Sequence, residues 1–235
     1  MHAFSWFVLV PMVYAAVLVF LVGMAWRIGR ILKRPAFAPP LTLFPVKRPA
    51  WLYALSDTLF MPRVLRHNRT LWIALMAFHL GLAVLIIGHL ELIREFKILQ
   101  IIPHAIFPGK GLVGLVMLLS LAYFLVRRAF SPTKELSTPE DSLVLVLLMA
   151  VVLFGSQMDW ARTWYGYESM GLPEYRGYMW SLLTLKPDPS MVLSAGHAFM
   201  LVAHVLFANL LLMVFPFTHL PHAMFSFALN RVRRG

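Results

Sequence analysis

The chain has 235 residues, of which 60% are hydrophobic and 13% charged, and its mean hydropathy of +0.75 is too apolar for an ordinary soluble domain. It contains no cysteine, which excludes disulfides, iron–sulfur clusters held by its own thiolates and Cys-attached haem. The formal charge of +11 lies in blocks beside apolar segments rather than interleaved with aromatics on a polar surface, so it argues for membrane topology and against nucleic acid.

Five segments are long and apolar enough to cross a hydrocarbon layer of about 30 Å as helices. They lie near residues 5–26, 71–92, 110–126, 142–158 and 191–215, and predict an all-α polytopic bundle of five transmembrane helices in one domain, 1–235, without internal repeats. The first lacks a basic leading region and is followed by Arg27 and Arg30, so it reads as a retained span, not a secretory signal. Next comes 27–70, where Pro35, Pro39, Pro40, Pro45, Pro49 and Pro62 break any continuous helix and predict a connector along the membrane face. The second span carries His79 and His89. After it, 98–109 (ILQIIPHAIFPG) is apolar but interrupted by Pro103 and Pro108, which suits an interfacial or re-entrant position. Between the fourth and fifth spans, 159–190 holds Trp160, Trp164, Tyr165, Tyr167, Tyr175, Tyr178 and Trp180. Such density is expected of an interfacial aromatic belt, with a roof over a hydrophobic ligand as the alternative. The fifth span holds His197 and His204, and His219 and His222 follow Pro216.

Orientation follows from the basic residues. Stretches 27–70, 127–141 and 216–235 hold fifteen of the 21 Lys and Arg, whereas the N-terminus, 93–110 and 159–190 together hold six. The positive-inside rule then predicts an external N-terminus and a cytoplasmic C-terminus.

Intramembrane imidazoles need partners. His79 and His89 are ten residues apart, about 15 Å of helical rise, enough to stack two macrocycles at different depths, although the side chains are then offset by about 80° around the helix. A six-coordinate haem takes two axial ligands, which facing helices supply readily, so two haems need two histidines from each side. Since the second and fifth spans run antiparallel, His204 is expected opposite His89, and His222 or His219 opposite His79. His204 and His222 are separated by about 27 Å along a straight helix, so Pro216 and Pro221 must shorten the path by a bend. His197 is expected near the outer haem's propionates or a quinone, and His2 and His67 at the surface. Arg66, Arg69 and Arg231 inside, with Arg94 and Lys97 outside, are the cations available to propionates.

The runs FHLGLAVLIIGHL (78–90), RRAFSP (127–132) and HVLFANLLLMVFPFTHLPH (204–222) resemble the gamma, or cytochrome b, subunit of respiratory nitrate reductase, over about residues 70–235. The resemblance implies that His79 and His222 hold the iron of a cytoplasmic haem b and that His89 and His204 hold that of an outer one. It also implies a quinol site near the outer haem that involves Lys110 and Gly88. The long, proline-rich 27–70 and the run NRTLWIALMAFHLGL look more like cytochromes of heterodisulfide-reductase-like complexes, which puts nitrate in doubt as acceptor.

The expected function is therefore that of a di-haem b anchor subunit in a bacterial or archaeal cytoplasmic membrane. It would exchange electrons between quinol or quinone and a cytoplasmic iron–sulfur partner. The rival expectation is a transporter or proton channel with a histidine relay and no haem.

Overall fold

The structure is a computed structural model that describes residues 2–33, 48–94, 111–130, 138–164, 172–194 and 198–234. Lys97, His104, Lys110 and His197, with the proline-broken 98–109, lie outside the described residues, as do the side chain of His2 and most of 27–47.

Every regular element among the described residues is a helix. In chain order they are α1 (His2–Leu9), α2 (Pro11–Leu32), α3 (Ala50–Leu59), α4 (Pro62–His67), α5 (Arg69–Glu91), α6 (Leu112–Phe130), α7 (Pro139–Thr163), α8 (Leu172–Leu183), α9 (Ser190–Ser194), α10 (Ala198–Val214) and α11 (His222–Arg234). Five stretches are long and apolar enough to cross a membrane: Ala3–Leu32, Arg69–Glu91, Leu112–Phe130, Pro139–Ala161 and Ala198–Phe217. The chain is a multi-pass membrane protein. In lipid a helix satisfies its own backbone, which is why hydropathy alone locates these elements. Large apolar side chains such as Leu18, Ile73, Leu80, Leu119 and Phe199 point away from the protein on the span surfaces, where lipid is the apolar solvent.

The helix starts are locally encoded. The Asn68 side chain accepts the Leu71 N–H at 2.9 Å and caps α5. At α7, Thr138 and Asp141 form a reciprocal capping box with Pro139 in the first turn. The first span is broken rather than continuous, because Pro11 has no N–H to give and α1 and α2 meet at a turn at Val10. Two carbonyls beside the break are served by distant side chains: Asn209 Nδ2 donates to Val8 O at 3.1 Å, and the Tyr178 hydroxyl donates to Leu9 O at 2.6 Å. Burial, with Tyr14 nearby, raises the Tyr178 pKa, so this hydroxyl keeps its proton.

Helix α5 packs on α6, α6 on α7, α7 on α10, and α10 on α2. Small residues permit the close crossings: a Cβ at Gly81 would lie 2.7 Å from Met117 Cγ, and one at Gly114 would strike the Ser156 side chain. Phe78, Met117, Leu121 and Val152 form the core between α5, α6 and α7. A second core gathers Val8, Leu9 and Val10 at the break with Tyr178 and Leu182 of α8 and Leu201 and Val202 of α10. By contrast, α5 and α10 share no extensive backbone contact among the described residues, and the His89 and His204 rings face each other across the space between them.

Candidate functional site

The sequence pattern places His79 and His89 on one helix, and the fold brings each to a different partner. The ring centres of His89 and His204 are 6.1 Å apart, and those of His79 and His222 are 6.5 Å apart. Of the two residues that spacing left open opposite His79, His222 is the one that faces it. His219 instead turns a largely exposed ring toward the start of α7, with Nδ1 3.5 Å from Asp141 Oδ1 and 3.8 Å from Glu140 Oε1.

The bend expected between His204 and His222 is a full interruption. Helix α10 stops at Val214, a tight 3-10 turn covers Phe215–Phe217, and His222 opens the new helix α11 rather than ending the fifth span. Pro216 and Pro221 are fully buried in this turn. The carbonyls it releases are taken by α2, whose Arg27 guanidinium donates to Pro216 O at 2.8 Å and Thr218 O at 2.7 Å. Gly23, one turn earlier, admits that approach, since a Cβ there would lie 2.7 Å from Pro216 Cβ. In the sequence Arg27 reads only as an orientation charge; its role as a clamp requires knowing that α2 passes the turn.

All four rings are oriented through the same atom. Nδ1 lies 2.7 Å from Leu75 O in His79, 2.7 Å from Leu85 O in His89, 2.9 Å from Val151 O in His204 and 3.0 Å from His219 O in His222. A carbonyl can only accept, so each Nδ1 carries a proton, and in the neutral ring Nε2 then keeps its lone pair. Two residues that sequence reasoning missed set the His204 ring: Val151 supplies the carbonyl, and Gly155 leaves room, since a Cβ at Gly155 would lie 3.0 Å from His204 Cε1. A glycine facing a histidine across two spans gives no signal in one sequence.

Beside the His89–His204 pair lies a cavity of about 410 Å³ whose walls include His89, His204, Gly155, Asp159, Tyr175 and Tyr178. Tyr165 and Tyr167 lie outside the described residues, and the described aromatics of this segment divide between two places. Tyr175 and Tyr178 on α8 roof this cavity, while Trp164 and Trp180 are about half exposed, as in a belt. Trp160 is buried, stacks on Trp164 at 5.1 Å and donates to Gly111 O at 3.1 Å. A Cβ on Gly88 would meet nothing within 4 Å among the described residues. Arg66, Arg69 and Arg231 are exposed at the end of the bundle that carries the His79–His222 pair, and Arg94 is exposed just beyond α5 at the other; His67 is exposed, with Nδ1 2.7 Å from Arg63 O.

Among the described residues no group of three or more His, Cys, Asp or Glu could hold a bare metal ion. What the bundle offers is two isolated imidazole pairs.

Two curated archaeal proteins are similar to this chain, both named Hdr-like menaquinol oxidoreductase cytochrome b-like subunit. The one from Archaeoglobus profundus is 25% identical over 165 residues, covering 66% of this chain and 47% of its own length. The one from Archaeoglobus fulgidus is 24% identical over 164 residues, covering 66% and 48%. The chain thus spans about half the length of these relatives. The family model described as the nitrate reductase gamma subunit matches residues 63–235, the part that bears both histidine pairs, and the chain belongs to that family.

Proposed function

We propose that this chain is a di-haem b membrane subunit of a quinol-linked oxidoreductase, in which His79 and His222 would hold the iron of one haem and His89 and His204 that of the other. The observation that carries this reading is the spacing of the rings. An imidazole nitrogen lies about 2 Å from a first-row metal and its ring centre about 1 Å farther, so two rings across one iron have centres about 6 Å apart. The measured 6.1 and 6.5 Å fit. A pair of neutral imidazoles with both Nδ1 protons committed presents two acceptors and no donor, an arrangement that suits a Lewis acid between them. Two donors do not complete the coordination of a bare ion, whereas a porphyrin brings four of its own.

When bound, such haems supply one-electron carriers at two membrane depths, between a quinol at one face and a redox partner at the other. The polypeptide's part is to bind and orient. The Leu75, Leu85, Val151 and His219 carbonyls hold the rings, and α8 contributes Tyr175, Tyr178, Met179 and Leu182 to the wall of the cavity beside His89 and His204. Gly88, beside His89, and Lys110 are the residues we propose for the quinol head group, in keeping with the menaquinol oxidoreductase names of the two relatives. Lacking cysteine, this polypeptide holds no thiolate-bound cluster, so the iron–sulfur relay of the proposed complex belongs to a cytoplasmic partner.

The test is a reduced-minus-oxidised optical spectrum with haem quantification on the purified protein. Two b-type haems per chain are expected, and one after His79→Ala. A colourless protein, as a histidine-relay transporter requires, overturns the proposal.

A further inference from the structure

At the end of the bundle that carries the His79–His222 pair, α3 packs against α11. Small and polar side chains contribute to the contact: Ala54 is fully buried, and Asn230 Nδ2 donates to Thr58 Oγ1 at 3.0 Å. The outward faces are apolar. Trp51, Leu52, Leu59, Phe60, Phe227 and Leu229 are all exposed, with Leu52 at 48% and Leu59 at 52%. A helix pair built for water is arranged the other way round, apolar side in.

Charge and position identify what covers it. Segments 48–69 and 222–235 carry seven arginines and one acidic residue, Asp57. The pair also sits at the depth where spans end. The Trp72 indole in the first turn of α5 donates to Phe60 O at 2.7 Å, fixing the end of α3 to the start of a span. Helix α11 follows the turn that ends the fifth span. The exposed apolar faces therefore continue the lipid-facing surface of the bundle into the headgroup region. The family match begins at residue 63, so α3 lies outside it.

We propose that α3 and α11 form a platform that lies in the headgroup layer at this end, with its apolar faces in the acyl boundary and Arg63, Arg66 and Arg231 holding anionic phospholipid. Apolar insertion combined with basic flanks is the physical basis of interfacial anchoring. The ligand class is the anionic lipid phosphate, and the proposal does not depend on the haem reading.

The absence of cysteine makes the test clean. Single-cysteine variants Leu52→Cys, Leu59→Cys and Phe227→Cys, with Lys186→Cys as a water-exposed reference, carry a fluorophore on the purified full-length chain reconstituted into vesicles containing phosphatidylglycerol. Lipid-borne nitroxide is expected to quench the three platform positions about threefold more than the reference, and aqueous iodide to do the reverse. Iodide reaching them as readily as the reference overturns the proposal, and so does protection from both quenchers, which means that a protein covers the face. Independently, the double variant Arg63→Gln/Arg66→Gln is expected to retain about half the anionic phospholipid through purification, relative to neutral lipid. An unchanged ratio overturns the phosphate contact.

Discussion

A single methyl group separates a held imidazole from a displaced one at Gly155. The His204 ring needs that gap to reach Val151 O, and a Cβ would stand 3.0 Å from Cε1 and 3.1 Å from Nδ1. Neither neighbour is a flexible chain end, so Gly155→Ala is expected to cost about 1–3 kcal/mol in ring placement. Under the proposed ligation the outer haem is then lost or shifted in potential while the inner one is unchanged, which a redox titration of the two haems resolves. The His79–His222 pair offers a complementary comparison. His222→Ala is expected to abolish the inner haem signal, and His219→Ala to leave it, because His222 uses only the backbone carbonyl of His219. Equal loss in both variants would show that the His219 ring is itself required.

Elements are held by side chains that arrive from far along the chain. The break at Pro11 leaves Val8 and Leu9 carbonyls inside a packed core, and Asn209 and Tyr178 satisfy them from α10 and α8. Replacing Tyr178 by Phe keeps the packing and removes one donor, so about 1–3 kcal/mol of stability should go, seen as a lower melting temperature in detergent. The pH dependence has a defined sign. The folded-state pKa of Tyr178 is raised above its ordinary 10.0, so its contribution is complete below pH 10 and falls as pH climbs toward the folded value. Wild type should therefore lose stability on alkalinisation more steeply than Tyr178→Phe, and identical slopes would remove Tyr178 from the account. This arrangement also marks what sequence could convey. Hydropathy located the five spans because each buries its own backbone, and prolines foretold the bend after Val214. It could not foretell that Asn209 and Tyr178 serve the carbonyls at the break in the first span, or that Arg27 braces the turn before His222. Those facts depend on which helices become neighbours, and a side chain's partner across more than a hundred residues leaves no local pattern. The histidine pairs were more legible, since antiparallel spans fix which depth meets which.

For the whole molecule, the asymmetry of charge connects topology with function. One end gathers α3, α4 and α11 with Arg63, Arg66, Arg69 and Arg231 around the His79–His222 pair; the other gathers α8 and α9 over the His89–His204 pair. Cytoplasmic retention of Lys and Arg orients spans during insertion, and a fifteen-to-six imbalance across the chain is large enough to set it. The basic end is therefore expected inside, which would put the cavity beside His89 and His204 toward the external face, where the proposed quinol oxidation would release its protons, and the His79–His222 pair toward a cytoplasmic partner. Single cysteines again decide it. Lys186→Cys, in the exposed segment between α8 and α9, should react with a membrane-impermeant maleimide on intact cells, whereas Arg63→Cys should react only after the membrane is opened. The reverse pattern would invert the direction of proton release and leave the pairing of the histidines untouched, because that pairing follows from helix direction within the bundle and not from the side of the membrane it faces.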